Sequence, residues 1–170
     1  MVEVAFAPLM GMATLRGDLA SAPLRAAVAA VAGDVPERGR IAGTSERGAA
    51  WMSPDELLLL LPRDGVADAL RHVGEALAGE HHLALDVSDL RACIRLDGGG
   101  WREVLGKLTP ADLHPDAFGP GTLRRSHLGP VAAAFWAEGE GARVLCFRSV
   151  ADHALALLRR SAADGAVGYF

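Results

Sequence analysis

Three consecutive glycines, Gly98, Gly99 and Gly100, follow a predicted strand and precede a predicted helix, which is where a phosphate-binding loop would lie. A nucleotide site also needs spaced glycines with a lysine, or an acidic residue one strand later within a parallel unit. The sequence around these glycines has neither feature. We therefore interpret the three glycines as a flexible turn between the two elements.

Two carboxylates, Asp86 and Asp89, flank Ser88 and are candidates for acid–base chemistry. Such a pair needs a shared, desolvated environment that separates the pKa values of the two groups. These residues fall in a predicted turn between strands, where Asp and Ser side chains more often accept hydrogen bonds from the backbone. We expect turn hydrogen bonds here, and we assign no catalytic residue to this chain.

The histidines and cysteines lack the spacing of a metal site. His81 and His82 are adjacent, so on a strand they would point to opposite faces, and the other four histidines are scattered. Cys93 and Cys146 both lie in strand patterns, which indicates reduced and buried thiols; a disulfide between them is the less favoured alternative. We expect no metal in this chain.

Four side chains are candidates for contact with a partner protein. Arg124 and Arg125 begin a predicted strand and Arg148 ends another; guanidinium groups can bind carboxylates through paired hydrogen bonds. An ordinary exposed strand end is an equally good interpretation of the three arginines. Trp136, like Trp51 and Trp101, is more typical of a core than of an interface. It alternates with Phe135 along a strand, however, so one of these two side chains must point away from a single core.

The composition excludes several classes of function. A net charge of −4 without clustered lysine and arginine gives no electrostatic footprint for nucleic acid or anionic lipid. No apolar run approaches the length that spans a bilayer, and the first residues lack the basic start of a signal peptide. We therefore expect a soluble, cytoplasmic protein, whose hydrophobic fraction of 51% leaves apolar surface for a partner.

The elements that position these residues repeat along the chain. Residues 83–87 and 91–97 alternate between apolar and polar side chains, which predicts two strands, and the apolar spacing after Gly100 predicts a helix. Residues 13–18 predict a strand, and Ser21 with Pro23 predicts a helix start. Asp64, and Ser149 with Asp152, predict the caps of two further helices. The run of five leucines at residues 57–61 is typical of a strand inside a sheet.

Each half contains a strand, a helix, a polar loop, a hairpin and a second helix, with an offset of about 80 residues. This is the order of the split βαβ motif. We therefore predict an α+β fold of two pseudo-repeated ferredoxin-like units, residues 13–87 and 91–170, forming one domain. Residues 1–12 would precede it as an N-terminal arm that is poorly ordered unless something holds it. Residues 168–170 could add a short final strand.

Five short motifs together resemble a known family, the gamma subunit of heterotetrameric sarcosine oxidase. They are LRGD at residues 15–18, WMSPDELLLL at 51–60, DVSDLRACIRLDG at 86–98, FGPGTLRRS at 118–126 and FRSVADHALALL at 147–158. Individually each motif is weak, but their order and spacing cover nearly the whole chain after the first dozen residues. The family is similar in fold to the folate-binding domains of glycine-cleavage aminomethyltransferases and of a tRNA-modifying GTPase.

The resemblance implies a function through partners. In such oxidases the alpha and beta subunits hold NAD, FAD and covalent FMN, and the complex oxidises sarcosine to glycine and hydrogen peroxide. Tetrahydrofolate accepts the one-carbon unit, and a small delta subunit binds zinc. The resemblance thus implies a gamma chain without a redox centre, a structural assembly subunit that contacts the alpha, beta and delta subunits, chiefly alpha.

A stand-alone, folate-binding, aminomethyltransferase-like protein is the alternative. Asp112, in the segment LTPADL, is the residue that lines up with the acidic residue that aminomethyltransferases place near folate. The glycine-rich segment that follows it in those enzymes is missing here. Fold analogy alone is a weak reason to assign this function.

Overall fold

The computed structural model describes residues 1–165 and Gly168. The strands are β1 (Glu3–Phe6), β2 (Gly11–Arg16), β3 (Ile41–Gly43), β4 (Gly48–Ser53), β5 (Glu56–Leu61), β6 (Leu83–Asp86), β7 (Arg91–Asp97), β8 (Leu123–Leu128), β9 (Val131–Glu138) and β10 (Gly141–Phe147). The helices are α1 (Ala22–Val31), α2 (Val66–Ala76), α3 (Trp101–Gly106) and α4 (Ala151–Ala163). The chain divides into a first unit, Leu9–Asp89, and a second unit, Met1–Pro8 with Leu90–Phe170.

The first unit is an antiparallel sheet in the order β3-β4-β5-β2-β6, with α1 and α2 contributing to its core. The order β4-β5-β2-β6 is that of a ferredoxin-like sheet, to which β3 adds an edge strand. The leucines of β5 are all at most 2% exposed, because β5 has a neighbouring strand on each side and both of its faces are covered. The prediction of a strand inside the sheet is confirmed.

The second unit repeats this arrangement, except that one of its strands comes from the start of the chain. Its sheet has the order β1-β7-β10-β9-β8, and α3 and α4 contribute to its core. β8 occupies the edge position that β3 has in the first unit. β1, from the start of the chain, lies beside β7 where β6 lies beside β2. The α+β fold of two ferredoxin-like units is confirmed, with the fourth strand of the second unit supplied from the N-terminus.

Residues 1–12 are therefore not a loose arm. Glu3 to Phe6 pair with Asp97 to Ile94 in antiparallel register, and Val4 is 8% exposed within the core of the second unit. Gly11 and Met12 already belong to β2 of the first unit. A four-residue strand carries too short an alternating pattern to be recognised without its partner. The final strand predicted at residues 168–170 lies, apart from Gly168, outside the described residues.

Of the three side-chain helix caps predicted from the sequence, one is observed. Ser21 accepts a hydrogen bond from the Leu24 N–H at 3.3 Å, as expected for the cap of α1. Asp64 and Ser149, predicted to cap α2 and α4, instead lie in 3₁₀ turns that precede each helix, and neither helix has a side-chain cap. Because the turn inserts residues before the first α-helical turn, the predicted caps fall out of position.

Candidate functional site

The glycines after β7 serve backbone geometry. Gly98 and Gly100 have φ angles of +106° and +90°, in the region that residues with a side chain rarely adopt. A Cβ atom on Gly98 would lie 2.9 Å from the carbonyl oxygen of Met1. The predicted turn is confirmed, and its glycines allow the chain to reverse beside the start of β1.

Asp86 and Asp89 do not form a shared carboxylate site. Asp86 Oδ1 accepts the Ser88 N–H at 2.9 Å, and the Ser88 hydroxyl accepts the Met12 N–H at 2.9 Å. The hydrogen bonds from Ser88 hold the pKa of Asp86 below its usual value. Asp89 pairs with Arg63 at 2.6 Å. The predicted turn hydrogen bonds are confirmed, and each carboxylate has its own partner.

Phe118 organises the loop between α3 and β8. Its ring is fully buried and makes edge contacts with Trp101, at a centroid distance of 6.1 Å, and with Phe135, at 5.8 Å. Phe118 therefore fixes the middle of a long loop to the core of the second unit.

Arg102 fastens the same loop from α3. Its Nη1 donates to the carbonyl oxygens of Leu113 at 2.7 Å and Phe118 at 2.9 Å, and its guanidinium lies 4.3 Å from the centroid of Trp101. Burial lowers the pKa of Arg102. Arg102 has no local signal in the sequence, because its partners lie 11 and 16 residues away.

Arg124, Arg125 and Asp112, which the sequence offered as binding residues, differ in their burial and in their contacts. Arg124 is half-buried and donates from Nη2 to the Ala117 carbonyl oxygen at 2.9 Å, so it also holds the loop. Arg125, one residue later on the strand, is exposed. Asp112 is exposed, and its Oδ1 accepts the His114 N–H at 2.9 Å, which closes a local turn. This hydrogen bond gives Asp112 a structural role in the local turn.

Trp136 is not a surface residue. Its side chain is 1% exposed, and its Nε1 donates to Glu138 Oε2 at 3.0 Å. The reasoning that one of Phe135 and Trp136 must face outward assumed one buried face. The face of the sheet that carries Trp136 is also buried at its centre, as Cys93 and Leu145 show. The interface prediction for Trp136 is therefore wrong.

Charged side chains form a network at one end of this sheet. Asp97 accepts hydrogen bonds from Arg143 at 2.8 Å and from Arg95 at 2.6 Å, and Arg95 also pairs with Glu3 of β1. Burial opposes ionisation of Asp97, but the hydrogen bonds from the two arginines outweigh it and keep its pKa below the usual value. Because Arg95 and Arg143 are direct cross-strand neighbours, Asp97 offsets their mutual repulsion.

Arg148 belongs to an exposed apolar surface that we call the Phe147 surface, defined by Leu90, Arg91, Phe147, Arg148 and Val150. Leu90 is 51% exposed and Phe147 44% exposed. The Arg91 guanidinium lies 5.1 Å from the Phe147 ring centroid, and Arg148 Nη2 donates to the Arg91 carbonyl oxygen at 2.7 Å. Exposed apolar side chains beside cations are typical of protein contact surfaces.

The cysteines are free and buried, as predicted. Burial raises the pKa of the Cys93 thiol to about 12 and also raises the pKa of Cys146. Leu145, not Cys146, is the cross-strand partner of Cys93, so the two thiols point to opposite faces of the sheet. Among residues 1–165 and Gly168, no cluster of three or more His, Cys, Asp or Glu side chains could hold a metal ion.

Comparison with known proteins decides the family. The sequence model of the sarcosine oxidase gamma subunit family matches residues 16–164. The chain belongs to this family. It is 36% identical over 141 residues to sarcosine oxidase subunit gamma of Arthrobacter sp, covering 81% of this chain and 66% of that relative. It is 33% identical over 157 residues to the subunit gamma of Corynebacterium sp. (strain U-96), covering 89% of this chain and 73% of that one.

Solved structures agree with the family. A chain of the heterotetrameric sarcosine oxidase from Corynebacterium sp. U-96 matches with a TM-score of 0.87 and 29% identity, over 99% of this chain and 87% of that chain. Glycine cleavage system aminomethyltransferase T from Bartonella henselae matches with a TM-score of 0.64 and 12% identity, over 92% of this chain and 45% of the enzyme. At that identity the second match shows a shared fold and nothing about folate. Both expectations from the sequence, the family and the aminomethyltransferase-like fold, are confirmed.

The alignment with the Arthrobacter sp relative spans about two thirds of its length, at 66%. None of the helices in the described part of this chain is long and apolar enough to cross a bilayer.

Proposed function

We propose that this gamma-family chain is a non-catalytic assembly subunit of a heterotetrameric sarcosine oxidase in the cytoplasm. The observation that carries the proposal is the match over 99% of the chain to a chain of such an oxidase. The complex would oxidise sarcosine to glycine and hydrogen peroxide and pass the one-carbon unit to tetrahydrofolate. FAD, FMN, NAD and tetrahydrofolate would be held by other subunits.

The side chains of this chain support a structural role. The two carboxylates that were candidates for acid–base chemistry have structural partners. Asp86 accepts a hydrogen bond from Ser88, and Asp89 forms an ion pair with Arg63. Arg102 and Arg124 use their guanidinium groups to hold a loop to the core. These contacts stabilise a fixed surface rather than position a reacting group.

We further propose that the Phe147 surface contacts another subunit, chiefly alpha, with Arg148 at its edge. Phe147 and Leu90 supply apolar area that is exposed in the isolated chain, and aromatic side chains and arginines dominate the energetics of protein interfaces. Arg125 remains a second proposed contact, because it is exposed on the edge strand β8. The beta and delta subunits complete the proposed complex.

Co-expression of the four subunits with a tagged alpha subunit tests these proposals. Omitting this chain should give an unstable or misassembled oxidase, and a fully active, stable complex without it would contradict the assembly role. Phe147→Asp should weaken recovery of this chain with alpha. Phe6→Asp is the matched control, because Phe6 is similarly exposed, at 42%, but lies on the opposite face of the same sheet. Equal recovery of both variants would contradict the proposed surface.

The folate-binding alternative has a separate test. Asp112 uses its carboxylate in a local turn, which gives no support for a pterin contact. Isothermal titration of the isolated chain with tetrahydrofolate should show no binding. A measurable affinity that Asp112→Asn removes would contradict a purely structural role.

A further inference from the structure

The second unit contains a cavity of about 560 Å³ that none of the contacts described above uses. It lies between the start of the chain, the glycine turn after β7 and the end of α4. Its lining includes Val2, Val4, Gly100, Val104, Arg159 and Ala163.

The size and the walls of this cavity suit a small apolar molecule. The cavity opens to solvent on one side, and its floor is made of aliphatic side chains and glycines. Pockets for small ligands commonly measure about 300–1,000 Å³ and combine apolar walls with a few polar groups. Val4 and Val104, which line the cavity, are members of the unit's buried core, so this wall is rigid.

Arg159 supplies the charged side chain in this wall. Its Nε donates to the Val4 carbonyl oxygen at 3.2 Å, which fixes the guanidinium at the cavity. Among residues 1–165 and Gly168, no carboxylate pairs with Arg159 and its two terminal nitrogens have no hydrogen-bond acceptor.

The neighbouring cations differ from Arg159. Arg160 pairs with Asp164 at 3.5 Å, and Lys107 Nζ donates to the Ser161 carbonyl oxygen at 3.0 Å. Within residues 1–165 and Gly168, Arg159 is therefore the side-chain cation that lines the cavity and keeps donors for an incoming anion. A guanidinium with two unused donors on one side matches the two oxygens of a carboxylate.

We propose that this cavity binds a small amphipathic monocarboxylate. The carboxylate accepts hydrogen bonds from Arg159, and an alkyl chain of about six to ten carbons packs against the aliphatic wall. The proposal is independent of the subunit function proposed above, because no residue of the Phe147 surface lines the cavity.

Ligand-observed NMR with the full chain tests the site, with octanoate as the probe and 1-octanol as its neutral counterpart. Octanoate should bind, and 1-octanol should bind at least tenfold more weakly. Arg159→Gln should weaken octanoate binding at least tenfold, whereas Arg160→Gln, which removes the adjacent cation, should leave it unchanged. No octanoate binding, or equal effects of the two substitutions, would overturn the proposal.

A second pair of variants tests the cavity itself. Ala163 is an exposed wall residue, so Ala163→Trp should fold and fill the space, and octanoate binding should be lost. Ala156→Trp places the same indole on an exposed position of α4 that does not line the cavity, and binding should be retained. Octanoate binding that survives Ala163→Trp would show that the anion binds elsewhere on the surface.

Discussion

Val4→Ala tests whether β1 is part of the core of the second unit. Val4 is 8% exposed and packs in the core cluster, so the substitution removes two buried methyl groups. At about 0.8 kcal/mol for each group, with a further contribution from the remaining cavity, we expect a loss of about 2 kcal/mol in the free energy of unfolding. With an m value of about 2 kcal/mol/M, the urea midpoint should fall by about 1 M.

Tryptophan fluorescence can follow each unit separately. Trp101 and Trp136 report on the second unit and Trp51 on the first, so single-tryptophan variants distinguish the two transitions. Val4→Ala should destabilise the second unit. Val150→Ala is the matched control, because this valine is 36% exposed and its truncation should change stability by less than about 0.5 kcal/mol. If both substitutions had the same small effect, β1 would be the loose arm that the sequence suggested.

Three further predictions concern single side chains of the second unit. Asp97→Asn should lower stability at neutral pH and should reduce the loss of stability on acidification. The pKa of Asp97 is lower in the folded chain than in the unfolded chain. Its stabilisation is therefore present above about pH 4 and is lost as the pH falls through the pKa of the folded chain. Cys93, whose pKa is raised to about 12, should resist alkylation by iodoacetamide at pH 8 in the native chain and react in denaturant. Arg102→Ala should release the loop between α3 and β8, with faster proteolysis there. Arg102→Lys should restore part of the protection, because an ammonium can donate to both carbonyl oxygens but lacks the planar group that lies against Trp101.

Each of these predictions has a contrary result. An Asp97→Asn variant with an unchanged pH profile of urea midpoints would show that this carboxylate is not stabilised by its arginines. Rapid native alkylation of Cys93 would contradict its burial. For Arg102, the control is Arg125→Ala, an exposed arginine on the neighbouring strand; equal proteolysis of the two variants would mean that Arg102 does not hold the loop.

The elements with long or strongly periodic patterns could be predicted from the sequence. The five leucines of β5, the Ser21 start of α1 and the repeated order of elements led to the observed fold. β1 could not be predicted from the sequence, because its four residues form a strand only through pairing with β7, about 90 residues later in the chain. The same limit applies to Trp136, whose burial depends on a covered second sheet face, and to Arg102, whose partners lie in a loop without periodicity.

We propose that this chain works within a flavin-containing oxidase. The most direct test is affinity purification of the tagged chain from its native cells, with mass spectrometry and a flavin absorbance spectrum of the eluate. We predict large subunits in a fixed ratio to this chain, together with the absorbance bands of bound flavin. Recovery of a lone, colourless chain would contradict the assembly role.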